Sequence, residues 1–593
     1  MRRSRLVPCL TAAALALVGT AAFAGPAGAK PAPPPKPPLT GHVLALNDFH
    51  GQIDPPTGSG GVVNGAPAGG VEYLAHYVKQ RRALDRASSS AVFTVAAGDL
   101  VGASPLVSAA FHDEPAVEEM NSLGLDVTSV GNHEFDEGVG ELIRLQRGGC
   151  HPKDGCLDGD GFRGAKYPIL AANVVYKKNR LPILLPFTVK RIGKVPVAFV
   201  GLTLKGTPGI VNPAGIANVD FLDEAATANR YARLLKKLGI RAMVLLVHEG
   251  GNQAAPPAVL DPSGCANFDG PIKGIVSKLD PAYGIVVSGH THQWYTCALP
   301  NSSGASSVVT SAGSTGRLLT DITFQVDQKT KAFVSASAKN LVIENGVKNA
   351  DGSWAKDAAG NFIRNTALVD PAAKTIADKY RTAVAPIANR IVGSITADIP
   401  VTAVASGENA LGDVIADGML AYTQSSGAQI AFMNPGGIRS SLTYANSPGG
   451  EAPGQVTYGE TFAVQPFNNL VVTLTYTGAQ LNSVLEQQFA GFEGQTTTKI
   501  LQVSNGFTYS YDSTLPLGSR VSNMALNGTP IDPAATYRVA TNDFLANGGD
   551  AFTRMTAGTD RATAPGFDVD ALAAYLGAGP VAPGPTNRIT KIG

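Results

Sequence analysis

Five short apolar runs in the first half of the chain each break at a polar residue. Val43-Leu44-Ala45-Leu46 runs into Asn47-Asp48-Phe49-His50, and Ala91-Val92-Phe93-Thr94-Val95 runs into Gly98-Asp99. Val127-Thr128-Ser129-Val130 runs into Gly131-Asn132-His133-Glu134, Met243 to Val247 stops at His248, and Ile285 to Ser288 stops at Gly289-His290-Thr291-His292. Short β-rich runs closed by Gly, Asn or Asp read as buried strands. Between them lie stretches with helical spacing: Val71–Leu84, Pro115–Leu123 and Glu224–Leu238. Strands alternating with helices predict an α/β layered domain over residues 41–345.

Beyond it, Asn345 to Asn365 is rich in Asn, Asp, Gly and Lys, and Pro371 to Asn389 reads as one helix. A polar segment followed by a lone helix predicts a domain junction, here a linker and hinge helix over 346–390. From Ile391 to the C-terminus, helices (Leu411–Tyr422, Gly478–Phe489) mix with strands (Leu470–Tyr476, Phe507–Tyr511, Tyr537–Thr541), which predicts an α+β second domain over 391–593. No internal repeat is present.

A chain of 593 residues exceeds what one core normally supports, in agreement with two domains. The formal charge of +1 gives no reason to expect a nucleic-acid polymer or a membrane surface as partner. At the N-terminus, Arg2, Arg3 and Arg5 precede an apolar stretch from Leu10 to Ala22, and Ala22-Phe23-Ala24 or Ala27-Gly28-Ala29 fits a small-x-small cleavage site. A cleaved signal over 1–29, a proline-rich lead over 30–40, and export to an extracellular or periplasmic space without a membrane anchor are expected. Cys150, Cys156, Cys265 and Cys297 remain after such cleavage, and an even number in an exported chain points to two disulfides. Of the three connectivities, Cys150–Cys156 with Cys265–Cys297 is favoured, each closing one loop.

The residues that end the five runs carry the chemistry. Parallel strand ends converge on one crevice, and Asp, His and Asn together suit a pair of divalent cations. Asp48, His50, Asp99, Asn132, His248, His290 and His292 are the candidate ligands. Asp48 and His50 share one side of a strand end, and the Asp99 carboxylate has two oxygens with which to bridge two ions. Paired cations acidify a water and suit phosphate ester hydrolysis. His133 and Asp136 are cast as a catalytic pair: with Asn132 turned to metal, His133 points at substrate while Asp136 fixes its tautomer and favours its protonated form. His42, His76, His112 and His151 fall outside the pattern and read as surface or structural. Every histidine and cysteine lies at or before Cys297, which assigns metal chemistry to the first domain and substrate recognition to the second.

Asn47-Asp48-Phe49-His50-Gly51, Gly98-Asp99, Gly131-Asn132-His133-Glu134-Phe135-Asp136 and Gly289-His290-Thr291-His292 resemble the calcineurin-like metallophosphoesterase signature. More narrowly, the chain resembles the secreted 5′-nucleotidase family, which includes UDP-sugar hydrolases and ecto-5′-nucleotidases. The resemblance implies a layered metallophosphoesterase sheet sandwich flanked by helices, followed by an α+β substrate-binding domain. It implies that Asp48, His50, Asp99 and His292 hold one ion and Asp99, Asn132, His248 and His290 the other, with zinc, manganese or cobalt all suitable. Some relatives have Gln where His292 stands.

Asn434-Pro435-Gly436-Gly437-Ile438-Arg439 combines a turn with a forked cation suited to phosphate or carboxylate. The resemblance implies substrate contacts from Asn434 and Arg439, with Gly437 in the same turn, and a nucleobase clamp between Phe467 and Phe544. Asp550 is a candidate acceptor for ribose hydroxyls. Many relatives carry a phosphate-binding arginine shortly before the segment matching Ser406 to Asp413, but Val401 to Ser406 has none. The expected activity is hydrolysis of nucleoside 5′-monophosphates. The alternatives are a 2′,3′-cyclic nucleotide phosphodiesterase, a UDP-sugar hydrolase, or a secreted nucleotide-binding pseudoenzyme, although no ligand or catalytic histidine is missing.

Overall fold

Alternate residues of the first strand, Leu39–Leu46, face opposite layers. Val43 and Ala45 enter an apolar layer shared with Val95, Phe199, Val244, Leu246 and Val287. Leu44 and Leu46 instead meet helices Val71–Ser88, Glu114–Leu123 and Gly138–Arg147. The period-two alternation of strands thus builds both faces of a sheet at once. The computed structural model describes residues 36–593, apart from 57, 90, 255–258, 359 and 468. The expected export signal, and most of the proline-rich lead, lie outside the described residues.

Leu39–Leu46 runs parallel to Ala91–Ala97, which is followed in parallel by Val127–Ser129 and Ile169–Leu170. Antiparallel Leu318–Val326 and Phe333–Val342 complete this six-stranded sheet. A second six-stranded sheet places Val195–Thr203, Ala242–His248, Tyr283–Ser288 and Ser306–Ala312 in parallel, with antiparallel Phe187–Ile192 and Trp294–Pro300 at its edges. The layer holding Val43 and Val244 lies between the two sheets. Helix Glu224–Lys237 covers the outer face of the second through Ala225, Ala228, Tyr231 and Leu235. Each of the five apolar runs lies in one of these strands. The structure pairs Cys150 with Cys156 and Cys265 with Cys297.

The polar stretch expected as a junction folds back on itself, with Gly346 bridged to Arg364, Lys348 to Trp354 and Lys356 to Phe362. Helix Pro371–Ala388 begins at Asp370, whose side chain accepts from the Ala372 and Ala373 N–H groups. Its apolar face, Ala373, Ala377, Tyr380 and Val384, belongs to the same cluster as Leu44 and Leu46. Arg381 reaches Asp54 and Glu72, and Lys379 reaches Asp158.

In the C-terminal half a five-stranded sheet runs in the order Gln502–Val503, Ile430–Met433, Thr536–Asn542, Leu470–Thr477, Thr559–Phe567. Helix Ala410–Tyr422 packs on one face through Leu411, Val414 and Ile415. Helix Gly478–Glu486 packs on the other through Leu481, Val484 and Leu485. Among the described residues, no helix is long and apolar enough to cross a membrane.

Candidate metal centre

The parallel strands of both sheets deliver their C-terminal ends to one place, and the turns that leave them are strained. Asp48, His50, Asp99, His290 and His292 all have φ between 49° and 71°, the left-handed region. Such backbone costs roughly 1–3 kcal/mol per residue and persists where surrounding structure over-determines it. Gly98 shows why the turns are close: a Cβ there would sit 2.5 Å from Gly131 N and 2.8 Å from His248 Nδ1.

Two donor groups form. Asp48, His50 and His292 offer ligand atoms within 4.8 Å of one another, and so do Asp99, His248 and His290. Asn132 joins the second group, its Oδ1 lying 3.0 Å from His290 Nδ1. His50 Nε2 stands 3.9 Å from both Asp48 Oδ1 and Asp99 Oδ2, which links the groups.

The second nitrogen of each ring shows which atom faces inward. His248 Nδ1 donates to Ala97 O at 2.7 Å, and His50 Nδ1 to Gly102 O at 2.8 Å. The Nε2 atoms therefore point into the centre. There His248 Nε2, fully buried, lies 2.8 Å from Asp99 Oδ2, and against the cost of burial Asp99 and Asp48 raise this imidazole to about 10, a proton that a metal ion would displace. His50 Nε2 lies 3.0 Å from His292 Nε2. Ring nitrogens converging on carboxylates in a largely buried pocket are what divalent cations satisfy. Burial, then the neighbouring cations, hold three histidines in the neutral form that binds metal. His290 falls to about 4 under burial and His248, His292 to about 3 under burial and Arg439, and His50 well below its usual range under burial and His292.

Backbone and side-chain bonds fix the carboxylates. Asn47 donates to Asp48 Oδ2 at 2.6 Å and to Gly313 O at 2.7 Å, while the His290 N–H reaches both Asp48 oxygens at 3.0 Å. Asp99 Oδ1 accepts from His133 N at 2.9 Å. Glu134, absent from the expected site, accepts from Asp99 N (3.0 Å), Leu100 N (2.9 Å) and Gly131 N. One buried carboxylate thus ties the two turns that carry Asp99 and Asn132, and burial beside Asp99 raises it to about 7.

His133 Nδ1 lies 2.7 Å from Asp136 Oδ2. Burial opposes a charge on His133, but Asp136 and Asp99 outweigh it and raise the imidazole to about 9, so it is protonated at neutral pH. The C-terminal half reaches this group. Phe467 stacks on the His133 ring at 6.0 Å and 17°, and the Arg439 guanidinium stands 5.8 Å above Phe467.

Asn434, which opens the turn leading to Arg439, is 2 % exposed. It donates to Asp550 Oδ2 at 2.7 Å and accepts from Asn542 at 2.9 Å. Lys499, which carried no sequence signal, takes the other Asp550 oxygen at 2.9 Å. Asp550 is thereby engaged within the protein rather than turned toward solvent. Gly437 packs against Asn434, and the half-buried Phe544 lies against Gly549.

A two-sheet sandwich with paired N,O donor groups at its strand ends, overlooked by a second α+β domain, is a metallophosphoesterase architecture. Residues 386–557 match the family described as 5′-nucleotidase, C-terminal domain. Endonuclease YhcR of Bacillus subtilis is 31 % identical over 508 residues, which cover 85 % of this chain and 37 % of that protein. The chain thus spans well under half of YhcR. Snake venom 5′-nucleotidase of Gloydius brevicauda is 26 % identical, with 90 % of this chain and 85 % of that protein covered. The crystal structure of a 5′-nucleotidase precursor from Thermus thermophilus superposes with a TM-score of 0.71 at 26 % identity, over 93 % of this chain and 99 % of that one. Residues 386–557 thus carry the 5′-nucleotidase C-terminal domain, and the chain as a whole is similar in sequence and fold to 5′-nucleotidases.

Proposed function

We propose that the chain is an exported metallophosphohydrolase that releases phosphate from nucleoside 5′-monophosphates. The observation that carries this reading is the meeting of two buried donor groups with a protonated His133–Asp136 pair beneath Phe467 and Arg439. Asp48, His50, Asp99 and His292 would hold one divalent ion, and Asp99, Asn132, His248 and His290 the other. When bound, such a pair supplies positive charge to the phosphoryl oxygens and acidifies a water.

The chain's own groups do the rest. His133, charged and aligned by Asp136, donates a hydrogen bond to phosphoryl or leaving oxygen as charge builds there. Arg439 offers a fork to the phosphate. Phe467, with Phe544, gives a planar base an aromatic face. Asn434 and Gly437 shape the turn that carries Arg439, and Asp550 with Lys499 keeps Asn434 oriented. Residues 41–345 and 391–593 are assigned as catalytic and recognition domains, with 1–29 as the signal that directs export.

Phosphate release from AMP, UDP-glucose and 2′,3′-cyclic AMP, with and without chelator, tests this. AMP should turn over fastest, lose activity with chelator and regain it with zinc, manganese or cobalt. Chelator-insensitive turnover, or none on AMP, would refute the reading. One relative's description as an endonuclease favours a second reading, phosphodiester cleavage, so a single-stranded oligonucleotide belongs in the same panel.

A further inference from the structure

Two histidines that the metal pattern left aside meet elsewhere. His112, His151 and Asp154 each offer a donor atom, all within 4.8 Å of one another. His112 Nε2 and His151 Nδ1 both lie 2.9 Å from Asp154 Oδ2. The two rings stack at 3.7 Å and 19°, so nitrogens from parallel imidazoles converge on one oxygen.

The chain builds this cluster from two sides. His151 and Asp154 lie inside the small loop closed by Cys150–Cys156. The backbones of His151 and Gly155 bond each other in both directions, at 3.1 and 3.0 Å. On the other side, His112 and Asp113 are held at φ 50° and 58°. The buried Asp113 carboxylate anchors that turn by accepting from Gly102 N at 2.9 Å and Ser108 Oγ at 2.7 Å.

Each ring turns one nitrogen to Asp154. His112 Nδ1 faces Glu137 Oε2 at 3.1 Å and Nε2 faces Asp154 Oδ2 at 2.9 Å; a metal at Nε2 would displace the proton that otherwise bridges to Asp154, while Glu137 holds the one on Nδ1. A carboxylate on the far nitrogen of an imidazole is the usual outer partner of a metal-binding histidine. His151 Nδ1 lies 2.9 Å from the same Asp154 oxygen, which brings a second ring nitrogen to the cluster. A cation at the cluster, whether a proton or a metal ion, holds these nitrogens on one carboxylate oxygen.

We propose that His112 Nε2, His151 Nδ1 and Asp154 Oδ2 form a transition-metal site of the zinc class, separate from the paired donor groups. Two nitrogens and one oxygen disfavour calcium and magnesium, and the half-exposed Asp154 leaves room for water as a fourth ligand. The ion pins the disulfide loop to the segment that carries Glu137. That residue follows Asp136, so the ion braces the back of the turn that orients His133.

Diffraction at the zinc edge from crystals of the full chain soaked in zinc chloride tests this directly. An anomalous peak should stand between the three named atoms. In equilibrium dialysis against zinc, His112→Ala and His151→Ala should each bind one ion fewer than the unaltered chain. Asp154→Asn, a surface change of equal shape, should weaken that ion at least about tenfold, and it serves if an alanine variant loses its cooperative melt. No peak at the cluster, or equal zinc content in every folded chain, would overturn the proposal. Either result would assign the space to a proton shared by His112, Glu137 and Asp154.

Discussion

At the scale of single residues, His133 and Glu134 divide the labour of one short turn. His133 faces the centre with a charge that Asp136 and Asp99 sustain. His133→Ala should cut turnover by roughly a hundredfold or more while zinc content, read by elemental analysis, stays the same. Unchanged turnover would remove it from the mechanism. Glu134 faces the other way and gathers backbone N–H groups from three positions. Glu134→Ala strands those donors, and metal affinity measured by chelator competition should fall about 10–100-fold. The candidate ligands were legible because each ends an apolar run. Glu134 was not, since its task is to accept N–H groups that only the folded turns leave unpaired. Lys499 was hidden for a similar reason: its partner Asp550 lies 51 residues away in sequence.

Helices and strands show the same division. The strands of both sheets follow from apolar runs and sit where the pattern put them, and helix Pro371–Ala388 matches the predicted span nearly residue for residue. Its partner did not follow from spacing, because an apolar stripe says that a helix is covered but not by what. It covers helix Glu114–Leu123, where Glu119 is fully buried with neither oxygen hydrogen-bonded. Burial, then Glu72, raises Glu119 from its ordinary 4.5 to about 9, against the opposing pull of Arg381. The folded chain therefore keeps a proton that the unfolded chain sheds. Stability from this group is whole below pH 4.5 and drains away as pH rises toward 9, by at most about 1.4 kcal/mol per pH unit. Glu119→Gln should flatten the fall in melting temperature between pH 6 and pH 9, as followed by circular dichroism about one pH unit at a time. An unaltered slope would show that Glu119 ionises at little cost.

Across the whole molecule, the candidate metal ligands gather in one half and the other half reaches over them. That asymmetry was legible from the distribution of histidines. The contact itself, Phe467 on His133 with Arg439 above, was legible only through family likeness, since an isolated phenylalanine is usually core. Phe467→Ala should raise KM for AMP about tenfold or more and leave KM for p-nitrophenyl phosphate, which has no nucleobase, within about twofold. Equal effects on both substrates would mean that the ring supports His133 rather than a base.

Helix Pro371–Ala388 comes late in the chain but roofs the earlier half. A recombinant fragment stopped near residue 345 would leave helices Val71–Ser88 and Glu114–Leu123 without their lid and should collect in inclusion bodies. One carried a few residues past Ala388 takes its lid along and should remain in the supernatant after lysis. The sensible place to cut this protein is therefore some forty residues later than its composition suggests.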